Sequence, residues 1–197
     1  IQWTVGSGQS QSGNFLRTFL NLGFNEAEGG GRVFDGLHPN IAARQLAMNI
    51  RFAVPGGGAR LWEPGSEGTL WWGRYNDKTR RQGASSLLDR CNANKNCPKI
   101  IETFGSAEIW GLRGSPMLVG TDAKADIALP DNVRRYYFPG VTHGGSWKGG
   151  FSATGDASAP GCMLPGNPNP SRESTRVAFG ALVDWVKAGK APPESRY

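Results

Sequence analysis

A chain of 197 residues can bury a substantial core as one domain, and 38% hydrophobic residues with seven Trp and nine Phe exclude a disordered polymer. The 29 Gly and 13 Pro follow no G-X-Y period, which excludes collagen and means that much of the chain turns. The formal charge of +6 is scattered, densest at Lys78, Arg80, Arg81 and at Arg134, Arg135, without interleaved aromatics, so nucleic acid is not an expected partner. No window approaches the ~20 apolar residues of a membrane span, so no membrane partner is expected either.

Taken in chain order, residues 1–8 read as a strand ending in Gly6-Ser7-Gly8. Ile1 enters it without a basic, then apolar leader, which reads as a processed or truncated N-terminus. Phe15, Leu16, Phe19 and Leu20 fall at helical spacing, predicting a helix from about Ser12 to Leu22 with Gly23 as its stop. Arg32-Val33-Phe34 reads as a short strand closing at Asp35-Gly36, and residues 40–52 as a short helix. A Gly-, Pro- and Trp-rich excursion without sustained period follows, and a lid-like insertion is expected at about 54–97, with a helical stretch at 85–91 inside it. Lys99–Phe104 and Asn132–Phe138 are expected strands, and residues 144–170 a surface loop. Ala178, Ala181, Leu182, Trp185 and Val186 form the stripe of a last helix, opened by Ser171 and closed by Gly189. Alternating strands and helices predict an α/β fold with a mainly parallel sheet.

Cys91 and Cys97 bracket the polar turn Asn-Ala-Asn-Lys-Asn, which can bring two Cα atoms within disulfide range, while the further ligands that zinc needs are missing from it. A local disulfide is expected, and with it an oxidising compartment. Cys162 is left as a buried thiol or one paired outside this chain.

The chemistry gathers around Val5-Gly6-Ser7-Gly8-Gln9-Ser10-Gln11-Ser12-Gly13. Strand, tight turn and helix with a serine at the turn is the form of a nucleophile elbow, where the residues two before and two after the serine must be small; Gly8 and Ser12 meet that need. A helix-capping role for Ser10 or Ser12 is the simpler alternative. A serine hydroxyl needs a base to take its proton, and the chain has two histidines. His38 precedes every later carboxylate and reads as structural or pocket-lining. His143, in a Gly-rich loop leaving the strand 132–138, stands where the base belongs. Three carboxylates compete to orient it. Glu108 follows the strand 99–104, Asp35 ends the preceding one, and Asp122 comes later still.

These segments together, Gly8 to Arg17, Phe24-Asn25-Glu26, Val33 to Gly36, Asn49 to Ala53, Ala107 to Trp110 and Gly140 to Gly144, resemble in order a poorly characterised family of bacterial α/β-hydrolase domain proteins. The resemblance implies the α/β-hydrolase fold, with Ser10 as nucleophile, Glu108 as acid and His143 as base, and ester hydrolysis in general terms. In that fold about four strands precede the elbow, so the chain reads as the C-terminal portion of a hydrolase domain. A preceding segment or companion chain is expected to complete the sheet and to supply the second oxyanion donor beside the Gln11 N–H.

The expected function is therefore a secreted or periplasmic serine esterase acting through an acyl-enzyme on a small-molecule or polymeric ester, with no cofactor and no metal. Trp71, Trp72 and Trp110 are the expected substrate-binding aromatics. A non-catalytic ligand-binding protein on the same scaffold and an acyltransferase using the same triad are the competing readings.

Overall fold

In a computed structural model, residues 1–43, 68–144 and 167–197 are described. Four parallel strands form the central sheet in the order β1 (Val5–Gln9), β2 (Gly36–Asn40), β5 (Lys99–Gly105) and β6 (Val133–Phe138). A separate antiparallel hairpin pairs β3 (Tyr75–Asp77) with β4 (Gly83–Ser85). Helix α1 (Gln11–Asn21) covers one face of the sheet and α5 (Arg172–Ala188) the other. Three short helices, α2 (Asp89–Ala93), α3 (Ser106–Trp110) and α4 (Pro116–Val119), lie in the connections. The mainly parallel sheet between helical layers is the architecture the sequence predicts.

Strand alternation divides the core. Ile100 packs with Leu16, Leu20, Leu37, Trp72 and Leu88 on the α1 side, whereas Ile101 packs with Ala178, Leu182 and Trp185 on the α5 side. The stripe expected on the last helix is thus its buried face, and its C-cap Gly189 adopts φ 68°, the left-handed conformation that stops a helix. Glu102, on the same face as Ile100, would be a buried bare charge but for two guanidiniums. Arg17 from α1 donates to its Oε1, and Arg135 from β6 donates through Nε to Oε2 at 2.7 Å. All three side chains are fully buried, and Arg17 also stacks over Trp72 at 4.9 Å.

Four expectations need correction. The second strand is Gly36–Asn40, not Arg32–Phe34, where only an isolated bridge joins Arg32 to Glu26. Strand β2 is buried on both faces and so lacks polar alternation, and its Gly36 and Pro39 disguise it further. Gly36 is required by packing, since a Cβ there would lie 2.7 Å from Val186 of α5. Pro39, which has no N–H, pairs with Gly8 of β1, while the register with β5 passes from Leu37 to Asn40.

The insertion expected at about 54–97 is likewise not a lid over its described part. Residues 68–97 supply Leu70, Trp71, Trp72, Leu87, Leu88 and Cys91 to the core. Trp71 and Trp72 are 0% and 1% exposed, so the substrate-binding role expected of them gives way to a packing role. The helix expected at 85–91 begins only at Asp89, because Ser85 still belongs to β4. Cys91 and Cys97 form the expected disulfide, with Cα atoms 4.8 Å apart. The helix expected at 40–52 falls mostly, and Cys162 wholly, outside the described residues.

Candidate active site

Parallel strands bring their C-terminal ends to one edge of the sheet, where open α/β sheets hold their reacting groups. Ser10 follows β1, Glu108 follows β5 and His143 follows β6, so all three loops emerge at that edge. The Ser10 Oγ lies 2.7 Å from His143 Nε2, and His143 Nδ1 lies 2.6 Å from Glu108 Oε1.

Local sterics fix each member. Ser10 adopts φ 56° and ψ −118°, a conformation that non-glycine residues avoid and that projects the hydroxyl from a sharp strand-to-helix turn. Two backbone bonds pin it there: Ser10 N–H donates to Asn40 O at 2.9 Å, and Asn14 N–H donates to Ser10 O at 2.9 Å. Strand and helix nearly touch at Gly8, where a Cβ would lie 2.4 Å from the Ser12 carbonyl oxygen. The second contact falls one residue later than the motif spacing predicts. Ser12 is exposed, and it is Gly13 whose added Cβ would meet Gly8 O and the Ala42 Cβ, each at 2.8 Å.

Glu108 sits in the first turn of α3 and is fully buried. Its Oε2 accepts the Gly105 N–H at 2.7 Å, which leaves Oε1 aimed at the imidazole. The histidine loop reaches that carboxylate because Gly105 has no side chain: a Cβ there would lie 2.7 Å from Val141 O. Val141 O also accepts the Ala107 N–H at 3.3 Å, and Gly140 N–H donates to Ser106 Oγ at 2.8 Å, docking the loop on α3. His143 therefore has one ring nitrogen toward a hydroxyl and the other toward a buried carboxylate. That arrangement can take a proton from Ser10 and stabilise the imidazolium that results.

The other two carboxylates do not reach it. Asp35 lies at the opposite end of the sheet, before β2, where its Oδ2 accepts the Thr4 N–H at 2.9 Å. Asp122 is exposed in the segment after α4, and its own N–H donates to the Tyr75 hydroxyl at 3.2 Å. Gln11 is the first residue of α1, so its N–H has no acceptor within the helix and faces the turn beside Ser10. Trp110 ends α3, 80% exposed, two residues past Glu108.

His38 is 1% exposed and belongs to a second chain of hydrogen bonds. Its Nδ1 is 3.3 Å from Ser7 Oγ, and its Nε2 is 3.0 Å from Thr103 Oγ1. Thr103 Oγ1 donates to Asn40 Oδ1 at 2.7 Å. Burial lowers the pKa of His38 from 6.5 to about 4, so the ring is neutral near pH 7. Asn40, whose backbone holds Ser10 and whose side chain ends this network, escaped the sequence reading. Its partners are Ser10, just past the end of β1, and Thr103 on β5, and only the strand register brings them together. Among the described residues no His, Cys, Asp and Glu gather into a metal-binding group.

No curated protein and no solved structure matches the chain. The family model for an alpha/beta hydrolase domain matches residues 1–197, and with the parallel sheet and the strand-turn-helix at Ser10 in view, the chain belongs to the alpha/beta hydrolase domain family.

Proposed function

We propose that this protein is a serine hydrolase that cleaves carboxylic esters through an acyl-enzyme. The observation that carries the reading is the continuous hydrogen-bonded line from Ser10 Oγ through His143 to the buried Glu108. His143 Nε2 takes the Ser10 proton as Oγ attacks the ester carbonyl, and Glu108 stabilises the imidazolium. The Gln11 N–H donates to the oxyanion. The imidazolium then protonates the departing alcohol, and a water activated by the same Nε2 releases the acid and restores Ser10. Trp110 offers an exposed aromatic surface to the substrate.

The reading includes a second oxyanion donor supplied from beyond the described residues, on a strand that adds to β1. Among the described strands β1 pairs only with β2, so no described strand occupies its other edge. Secretion or a periplasmic location fits the Cys91–Cys97 disulfide, and no helix among the described residues is long and apolar enough to cross a membrane.

A fluorophosphonate probe tests the proposal. A covalent adduct on Ser10, located by peptide mass spectrometry and absent in Ser10→Ala, is the expected result; a protein that hydrolyses no ester and takes no adduct would overturn it.

A further inference from the structure

A groove of about 310 Å³ adjoins the triad, lined by Gln9, Asn40, Gly144, Ser171, Arg172, Thr175 and Arg176. Gln9 precedes Ser10 and Gly144 follows His143, so the groove abuts the two segments that carry the proposed nucleophile and base. Its charge is one-sided. Arg172 and Arg176 stand one helical turn apart on α5, and no described lining residue is acidic. Neither arginine is paired with a carboxylate among the described residues.

Asn40 adds a directed donor. Its Oδ1 already accepts from Thr103 Oγ1, and that assignment fixes every proton behind it. With its hydrogen given to Asn40, Thr103 Oγ1 must accept from His38 Nε2–H, which leaves His38 Nδ1 to accept from the Ser7 hydroxyl. The network thus runs Ser7 to His38 to Thr103 to Asn40, each group donating to the next. It ends on Asn40, whose amide NH₂ takes no part in that chain of hydrogen bonds and whose side chain belongs to a residue lining the groove.

Resting on the esterase reading, we propose that this groove binds a carboxylate carried by the substrate, so that the preferred esters bear a free carboxylate, on the acyl or the alcohol side, gripped by Arg172, Arg176 and the Asn40 amide. Arginine forks suit a carboxylate, and charge-assisted hydrogen bonds of this kind are the stronger class.

The test uses two substrate pairs, mono-p-nitrophenyl adipate against p-nitrophenyl hexanoate and O-butyrylglycolate against ethyl butyrate, which place the charge on the acyl and on the alcohol side. Intrinsic reactivity cancels when the anionic-to-neutral ratio of kcat/KM is compared between the wild-type protein and the double variant Arg172→Gln, Arg176→Gln. The proposal expects that ratio to fall at least about tenfold in one pair, with the wild-type preference weakening as salt rises. Asn40→Asp keeps the acceptor for Thr103 but turns an acidic oxygen to the groove, and should lower the same ratio. An unchanged ratio in both pairs, with Ser10 still labelled by fluorophosphonate, overturns the groove assignment and leaves the esterase reading standing. If Ser10 takes no label, saturation-transfer NMR with monomethyl adipate decides the groove alone: signal lost in the double variant supports it, and signal absent from the wild type overturns it.

Discussion

Two histidines, each hydrogen-bonded to a serine of the same strand-turn segment, stand in opposite surroundings. His143 is 42% exposed at its side chain, sits in a loop and has a buried carboxylate behind it. His38 is buried within β2, and hydroxyls occupy both its ring nitrogens. The serines differ as well. Ser10 stands at φ 56° on a strained turn, while Ser7 lies in the regular strand β1 and pairs in register with His38. A Ser–His contact is thus not a catalytic signature in itself. What separates the two is the carboxylate that can hold an imidazolium and the backbone that aims the hydroxyl outward.

The comparison is broken most severely by removing the aimed pair. Ser10→Ala and His143→Ala should each lower kcat/KM for an activated ester by ~10⁴-fold or more, and together by little more than either alone, because the two act as one unit. Ser7→Ala should instead register as a loss of about 1 kcal/mol in urea unfolding. Equal kinetic losses from Ser7 and Ser10 would mean that the two serines do not differ in role. Glu108→Gln comes next, at ~10²–10⁴-fold in kcat. The amide can still accept from the Gly105 N–H, but the oxygen facing His143 Nδ1 is replaced by a donor, which holds the imidazole in the tautomer protonated on Nε2, unable to take the Ser10 proton.

How far this difference could be read beforehand follows from where its causes lie. The strand-turn-helix at Ser10 and the positions of Glu108 and His143 after strands were legible because each is local: turn residues, a periodic helix, a strand boundary. The role of Gly105 was not, since it depends on a loop 36 residues later pressing against it. Strand β2 was misplaced because a doubly buried strand has no alternation and this one contains Gly36 and Pro39. Trp71 and Trp72 looked available to a ligand because composition does not distinguish a core tryptophan from a pocket one. Glu102 carried a signal that went unused: an acid inside the apolar run Ile100-Ile101-Glu102-Thr103-Phe104 demands buried cations, and Arg17 and Arg135 answer it.

Packing at the elbow gives a smaller effect that sharpens the same contrast. Gly8→Ala places a Cβ 2.4 Å from a backbone oxygen of the helix that follows Ser10, and Gly105→Ala places one 2.7 Å from the loop bearing His143. Each should cost ~1–3 kcal/mol as the backbone shifts. Activity should fall further than stability, because both shifts move a member of the triad. Chemical denaturation and kcat/KM measured on the same preparations would separate the two, and a variant that lost stability while retaining full kcat would show the spacing to be slack.

The smallest effect belongs to the buried histidine and appears in pH, not in rate. His38 takes a proton at about 4 in the folded protein because its ring is desolvated, whereas the unfolded chain takes it at about 6.5. Well above pH 6.5 neither state is protonated and the group leaves stability untouched. As the pH falls from 6.5 toward 4 the unfolded state gains a proton that the folded state refuses, so stability declines through that window by on the order of 3 kcal/mol and levels off for this group below it. His38→Asn removes the titration while offering an amide to Ser7 and Thr103. The variant should be less stable at pH 7, and its deficit relative to wild type should shrink between pH 6.5 and 4. Urea unfolding of both proteins across that range cancels every other titrating side chain, His143 included, to the extent that the substitution leaves its surroundings unchanged. A deficit that stayed constant with pH would mean that the folded protein accepts the proton on His38 freely, and with it that the ring is not the neutral middle of a chain of donors ending at Asn40.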